Sequence, residues 1–469
     1  MQRRSFIHSL AWLTGGLLAG CSKKLALGGH DSERIIKGTI RTGEKGIANV
    51  VVSDGFSVVL SDTKGRYSIP VHPTAKHIFI STPAGYAFPH IDGIASAFKR
   101  LESATNFDFE LQPLTIDDQK HSFIIWADPQ TKTDKDYQRL LLETVPDMQA
   151  LLREASYPLV HGITVGDIVW DNPAHYAKYN EAVKIFNIPF FQVLGNHDMV
   201  YNKGGDEVSD DEFERQYGPP YYSFNRGKVH YVVLDDVRYL GKDREYDGYI
   251  NQQQLDWLKK DLSYVPKDHL LIINVHIPVY RSVKNRQDFY ALLEGYKVHI
   301  MSGHTHANSN NISSDIYEHV HGTVSGALWT GPVCGDGCPS GYGVYEVDGT
   351  SITWYYKAAG RSRMEQMSLQ VIDTNGTKEL LANVWNWDKD WKIEWWADNK
   401  AQGLLKQSPG FDPMTVQLYE GDKLPVGRVF VDPKKTDHLF KATIPVDSKQ
   451  LMVKATDRFG VVYESTITI

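Results

Sequence analysis

Phe190-Phe191-Gln192-Val193-Leu194-Gly195-Asn196-His197-Asp198 is an apolar run that stops at a glycine and then presents three residues able to bind a cation or move a proton. The arrangement recurs along the chain. Phe123 to Trp126 leads to Asp128-Pro129-Gln130, Ile163 to Val165 to Gly166-Asp167, Leu270 to Ile273 to Asn274-Val275-His276, and Val298 to Met301 to Gly303-His304-Thr305-His306. Short apolar runs of this kind predict parallel strands buried on both faces. Each polar cluster then sits at a strand's C-terminal end, where open α/β sheets build their sites. A mixed Asp/Asn/Gln/His donor set suits two adjacent divalent ions.

In order and spacing these segments resemble the D-x-H, G-D, G-N-H-D/E, H and G-H-x-H signature of the calcineurin-like metallophosphoesterases. The resemblance implies a two-metal phosphoester hydrolase in which Asp167 bridges both ions. Asp128, Gln130 and His306 would complete the first site, and Asn196, His276 and His304 the second. It further implies a metal-bridging hydroxide for in-line attack on phosphorus. His197, outside both ligand sets, would be the catalytic residue that stabilises the equatorial oxygens or protonates the leaving oxygen. Asp171 and Asp198 are the two candidates to orient it. The ions are expected to be Mn, Fe, Mg or Zn. One position departs from the pattern: Gln130 stands where the family usually has His. An amide oxygen is a harder, weaker ligand than imidazole and favours Mn²⁺ or Mg²⁺.

The chain has 469 residues, enough for two to three domains. Its formal net charge of −7 argues against a nucleic-acid partner. At the N-terminus, Arg3-Arg4-Ser5-Phe6 precedes a mildly apolar stretch that ends in Leu18-Ala19-Gly20-Cys21. That stretch is too short and polar for a membrane span. It resembles a twin-arginine export signal closed by a lipobox, which implies cleavage before Cys21, lipidation of its thiol, and a membrane-anchored lipoprotein in the periplasm or at the cell surface.

The expected organisation is a signal peptide with lipobox (1–21), a tether (22–32), an N-terminal β-sandwich (33–116), a metallophosphoesterase domain (117–360) and a C-terminal β-sandwich (361–469). The fold class is thus multidomain, a central α/β metallophosphoesterase sandwich flanked by two small all-β sandwich domains. The first flank resembles carboxypeptidase-regulatory-like modules over about 50 residues, with Gly65 in a tight turn and Tyr67 and Ile69 facing inward. Helix-period segments are expected over Asp136–Glu154 and Asn251–Leu262. Five of the eleven tryptophans fall between Trp385 and Trp396. Their alternation reads as half-buried core strands, with a sugar-binding platform as the other reading. Cys334 and Cys338 form a C-x₃-C pair, either bridged in an oxidising compartment or two free thiols in a Gly-rich loop.

Two other functions compete with the hydrolase: a surface glycan-binding lipoprotein with a degenerate central domain, and a structural spacer. Neither needs Asn196 and three placed histidines. The expected substrate is a phosphorylated small molecule, sugar, lipid or protein, and monoesters and diesters both remain open. The loop Trp329 to Tyr342 is expected to border the cleft.

Overall fold

The computed structural model describes residues 34–154, 158–313, 315–374, 376–428 and 431–469. The export signal, Cys21 and the tether lie outside these residues.

Two sheets face each other at the centre of the chain. In one, Lys120–Trp126, Val160–Val165 and Phe190–Val193 run parallel, and the hairpin Gly341–Asp348/Ser351–Ala358 adds two antiparallel strands beside Lys120–Trp126. In the other, Val229–Val233, Leu270–Asn274, Lys297–Ser302 and Ile316–Val320 are parallel neighbours. Side chains alternate along each strand. Phe123 and Ile125 point between the sheets, where they share a core with Val165, Val193, Tyr231 and Ile272. Ile124 and Trp126 point outward against Met148, Leu151, Tyr179 and Val183 of the covering helices. Leu255 and Leu258 cover the second sheet in the same way. The result is an α/β core in which every site-bearing strand is buried on both faces.

The helix expected over Asn251–Leu262 runs from Gln252 to Leu262, with the Asn251 side chain accepting the Gln254 N–H. Over Asp136–Glu154 the chain is helical but not regular. Asp134–Arg139 and Val145–Glu154 are α-helical, and Leu140–Thr144 between them is a π-turn in which the Val145 N–H bonds to the Leu140 carbonyl. Pro146 explains the change, because it has no N–H to continue the i→i−4 ladder and its ring crowds the preceding turn.

N-terminal to this core, two four-stranded sheets enclose Ile36, Ile40, Val52, Tyr67, Ile69, Ile78 and Ile80. Gly65 has φ 74° there. The segment is not confined to its own sheets: His90–Ile91 and Ile94–Ala95 extend the central sheet, with Ile94 paired to Phe190. Polar contacts also tie the regions together, since Trp257 Nε1 donates to Ser53 Oγ and Tyr221 OH to the Gly55 carbonyl.

At the C-terminal end, two more four-stranded sheets enclose Leu380, Ile393, Trp395, Phe440 and Val453. Trp385 and Trp395 are buried, and Trp387 and Trp391 pack against the same core. Trp396 is half-buried beneath the Lys454 ammonium. The aromatic cluster is therefore core, not an exposed platform, because alternation turns its large rings inward.

Candidate metal centre

The five polar segments converge at the C-terminal ends of their strands. Asp128, Asp167 and His306 place ligand atoms within 4.8 Å of one another, and Asp167, His276 and His304 do the same. Asp167 belongs to both groups. His276 Nε2 is 3.3 Å from Asp167 Oδ1 and 3.1 Å from Asn196 Oδ1, and His304 Nδ1 is 3.2 Å from His276 Nε2. His306 Nε2 lies 3.4 Å from Asp128 Oδ1. Gln130 donates from Nε2 to Asp167 Oδ2 at 2.8 Å, and its Oε1 is buried with no partner.

The backbone is forced into this arrangement. Asp128, Gln130, Asp167, His304 and His306 all have φ between 43° and 65°. Non-glycine residues in this left-handed region are costly, and such strain gathers at functional sites. Two glycines permit the close approach: a Cβ on Gly195 would stand 2.0 Å from Asp167 N, and one on Gly303 2.4 Å from Asp128 Oδ2. No side chain fits at either position.

The donor set fits divalent cations. His276 Nδ1 is 2.9 Å from the Val165 carbonyl and so carries the proton, which turns Nε2 towards the oxygens of Asp167 and Asn196. Unpaired Oε1 of Gln130 is a further acceptor without a donor. Burial opposes charge on His276, yet the Asp167 and Asp128 carboxylates raise it to about 10. Burial pushes the Asp167 carboxyl up, but the His276 and His197 imidazoles hold it well below the usual carboxylate range. This pocket calls for positive charge among convergent lone pairs.

His197 stands beside these atoms. Its N–H donates to Asp167 Oδ1 at 2.8 Å, and its Nδ1 is 2.9 Å from Asp171 Oδ1. Asp198 does not take that role. Its carboxylate accepts the N–H groups of Ile168, Val169 and Gly195 and so ties the Asp167 and Asn196 loops together. Burial works against an imidazolium at His197, but Asp167 and Asp171 raise its pKa above the ordinary value. Trp170 stacks on the ring at 4.2 Å, and Arg244 pairs with the second oxygen of Asp171.

These two supports were not found by sequence reasoning. Trp170 adjoins Asp171 in sequence and was the more accessible of the two. Arg244 comes from the turn between Val237–Tyr239 and Tyr246–Gly248, and nothing local marks it.

The cleft over these residues has a volume of about 340 Å³. Gly326, Ala327, Leu328 and Gly335 line it, and Trp329 Nε1 donates to the Pro129 carbonyl, so the Gly-rich loop does border the site. Asp432 and Lys434, far along the chain, complete the wall. Within the loop the bridged alternative for Cys334 and Cys338 is not adopted, and both are free, buried thiols. Cys334 Sγ turns to Thr323, whereas Cys338 Sγ turns to the Trp385 carbonyl and His438.

Comparison with known proteins follows the same order along the chain. The family model described as N terminal of Calcineurin-like phosphoesterase matches residues 34–114, Calcineurin-like phosphoesterase matches 145–308, and C terminal of Calcineurin-like phosphoesterase matches 318–463. The human serine/threonine-protein phosphatase CPPED1 is 30% identical over 158 residues, which cover 30% of this chain and 48% of that one. A probable glycerophosphodiester phosphodiesterase GpdQ of Arcobacter nitrofigilis is 29% identical over 174 residues, covering 33% and 59%. The chain thus spans about half the length of these curated relatives. Among solved structures, a purple acid phosphatase from yellow lupin seeds aligns at a TM-score of 0.39 and 12% identity, covering 66% and 67% of the two chains. With the N-terminal, central and C-terminal models matched in sequence over most of its length, the chain belongs to the calcineurin-like phosphoesterases.

Proposed function

We propose that this protein is a two-metal-dependent phosphoester hydrolase. The observation that carries the reading is the pair of donor groups sharing Asp167. Asp128, Gln130, Asp167 and His306 would hold one ion, and Asp167, Asn196, His276 and His304 the other. Two such ions supply Lewis-acid polarisation of phosphoryl oxygens and acidify a water for attack on phosphorus.

The remaining work falls to the chain. The buried carboxylate of Asp167 is held in place by the His197 N–H and the Gln130 amide. His197 would keep a proton through the bond between its Nδ1 and Asp171, and its Nε2 would donate to an equatorial or leaving oxygen. Trp170 and Arg244 restrict the ring and its carboxylate partner to one orientation. Lys434 at the rim offers an ammonium to a second anionic group of the substrate. The substrate would be a phosphorylated small molecule, sugar, lipid or protein, and the choice between monoester and diester is left to the substrate panel below.

The flanking β-sheet pairs are read as sandwich domains, and the N-terminal Arg3-Arg4 and Leu18-Ala19-Gly20-Cys21 elements as export and lipid attachment. Fractionation of a Cys21→Ser variant beside wild type tests the latter, and a wild-type protein wholly in the soluble cytoplasmic fraction rejects it. The hydrolase reading is tested by metal content together with a panel of monoesters and diesters, where the family relatives make both classes worth including.

A further inference from the structure

A second group of donors lies outside the cleft, where the Gly-rich loop meets the C-terminal sheets. Asp336 and Cys338 come from the loop and His438 from the residue before strand Leu439–Thr443. All three are buried, at 0%, 0% and 1% exposure, and their ligand atoms lie within 4.8 Å of one another. We propose that Asp336, Cys338 and His438 form a structural site for a thiophilic divalent cation of the Zn²⁺ class, which fastens the cleft-lining loop to the C-terminal sheets.

The hydrogen bonds around the group set the orientation of the imidazole. Asn383 donates from Nδ2 to the Asp336 carbonyl and to Asp412 Oδ2, both at 2.8 Å, which fixes its amide. Its Oδ1 therefore faces His438 Nδ1 at 2.7 Å and takes that proton. Nε2 is left to point at Asp336 Oδ2, 3.2 Å away, and at Cys338 Sγ, 4.0 Å away. An amide or carboxylate that fixes one nitrogen so that the other can bind metal is the usual outer support of such sites.

The distances are close to those between donors of a tetrahedral ion, three of whose four positions these residues would fill. With Zn–N and Zn–O near 2.1 Å and Zn–S near 2.3 Å, donors should stand about 3.4 Å (N to O) and about 3.6 Å (N to S) apart. The nitrogen–oxygen pair is nearly there, and the sulfur needs a shift of a few tenths of an ångström. Asp336 is itself held, since its Oδ2 accepts the Asn308 N–H and its Oδ1 the Cys338 N–H. Charge also balances: one carboxylate, one thiolate and a neutral imidazole around a divalent ion leave the dry site neutral. Binding releases the Cys338 proton to solvent, because a coordinating thiol is deprotonated.

Nothing in this triad belongs to the cleft donors, none of which carries sulfur. Titrating metal-free wild-type protein with Co²⁺ therefore separates the two sites. The expected result is a near-ultraviolet thiolate-to-cobalt charge-transfer band, absent from Cys338→Ala and retained in Cys334→Ala, with one metal equivalent fewer in the Cys338 variant. Should Cys338→Ala fail to fold, X-ray absorption of the Zn²⁺-loaded wild type is decisive, with a sulfur scatterer expected at about 2.3 Å. A cobalt-loaded wild type without the band, or only nitrogen and oxygen scatterers, would overturn the proposal and leave Asp336 and His438 as a buried ion pair. Neither result alters the count of ions in the cleft.

Discussion

His197 Nδ1 stands 2.9 Å from Asp171 Oδ1, and the carboxylate of Asp198, one residue from His197, is turned away to accept three backbone N–H groups. The more distant residue orients the imidazole and the adjacent one builds the loop. Under the proposed reading this division would separate proton handling from metal holding, and different fates are expected for the two kinds of variant. His197→Ala should keep its metal and lose turnover by about 10²-fold, as expected for a lost general acid. Asp171→Asn should lose less, and the double variant should be no worse than His197→Ala alone, because the two act as one unit. Metal analysis and steady-state rates check this; collapse of metal content in His197→Ala would make His197 a ligand.

Gln130 presents an unpaired buried Oε1 while its Nε2 is tied to Asp167. Gln130→His should raise affinity for Zn²⁺ or Fe²⁺ relative to Mn²⁺ or Mg²⁺, since imidazole is the softer donor. Metal titration of the purified variant beside wild type is the measurement. Unchanged selectivity across all four ions would mean that Gln130 only positions Asp167.

Lys434 reaches the cleft from the C-terminal part of the chain. Lys434→Ala should raise KM about tenfold for substrates with a second anionic group, the effect of one charged hydrogen bond of about 1.4 kcal/mol. Substrates without that group should be unaffected. An equal change for both would remove Lys434 from substrate recognition.

His161 is fully buried, with neither ring nitrogen partnered, among Phe88, Phe123, Phe191, Phe224 and Tyr231. Burial, with Arg226 and His121 nearby, depresses its pKa well below 6.5. Its folded-state pKa lies below the unfolded value, so its contribution is fully present above about pH 6.5 and is lost as pH falls. His161→Phe should therefore flatten the acid side of the stability curve, by up to about 2 kcal/mol at pH 5. Thermal melts of both proteins at pH 5 and pH 8 test the point, and parallel losses in the two would contradict it.

Much of the core could be read from the chain because local signals agree there. Apolar runs such as Phe123–Trp126 end in glycine or a ligand type, and the close contacts of Gly195 and Gly303 leave those positions no other residue. The rest depended on contacts between distant segments. Arg244 beside Asp171, Lys434 across from Gly335 and Ile94 paired to Phe190 in the central sheet have no local signature. The π-turn at Leu140–Thr144 was masked by a continuous helical period, although Pro146 marks its end. Whether Cys334 and Cys338 pair depends on where Thr323 and His438 lie, which spacing does not encode.

Under the proposed reading Asp167 would hold two ions at once, and hydrolysis would depend on both. The most direct test of this measures bound metal per chain and hydrolysis of a chromogenic phosphoester in wild type and Asp167→Asn. The account predicts two cleft ions and turnover in wild type, with fewer ions and a fall of about 10²–10³-fold in the variant. Full activity of Asp167→Asn with two cleft ions still bound would contradict it.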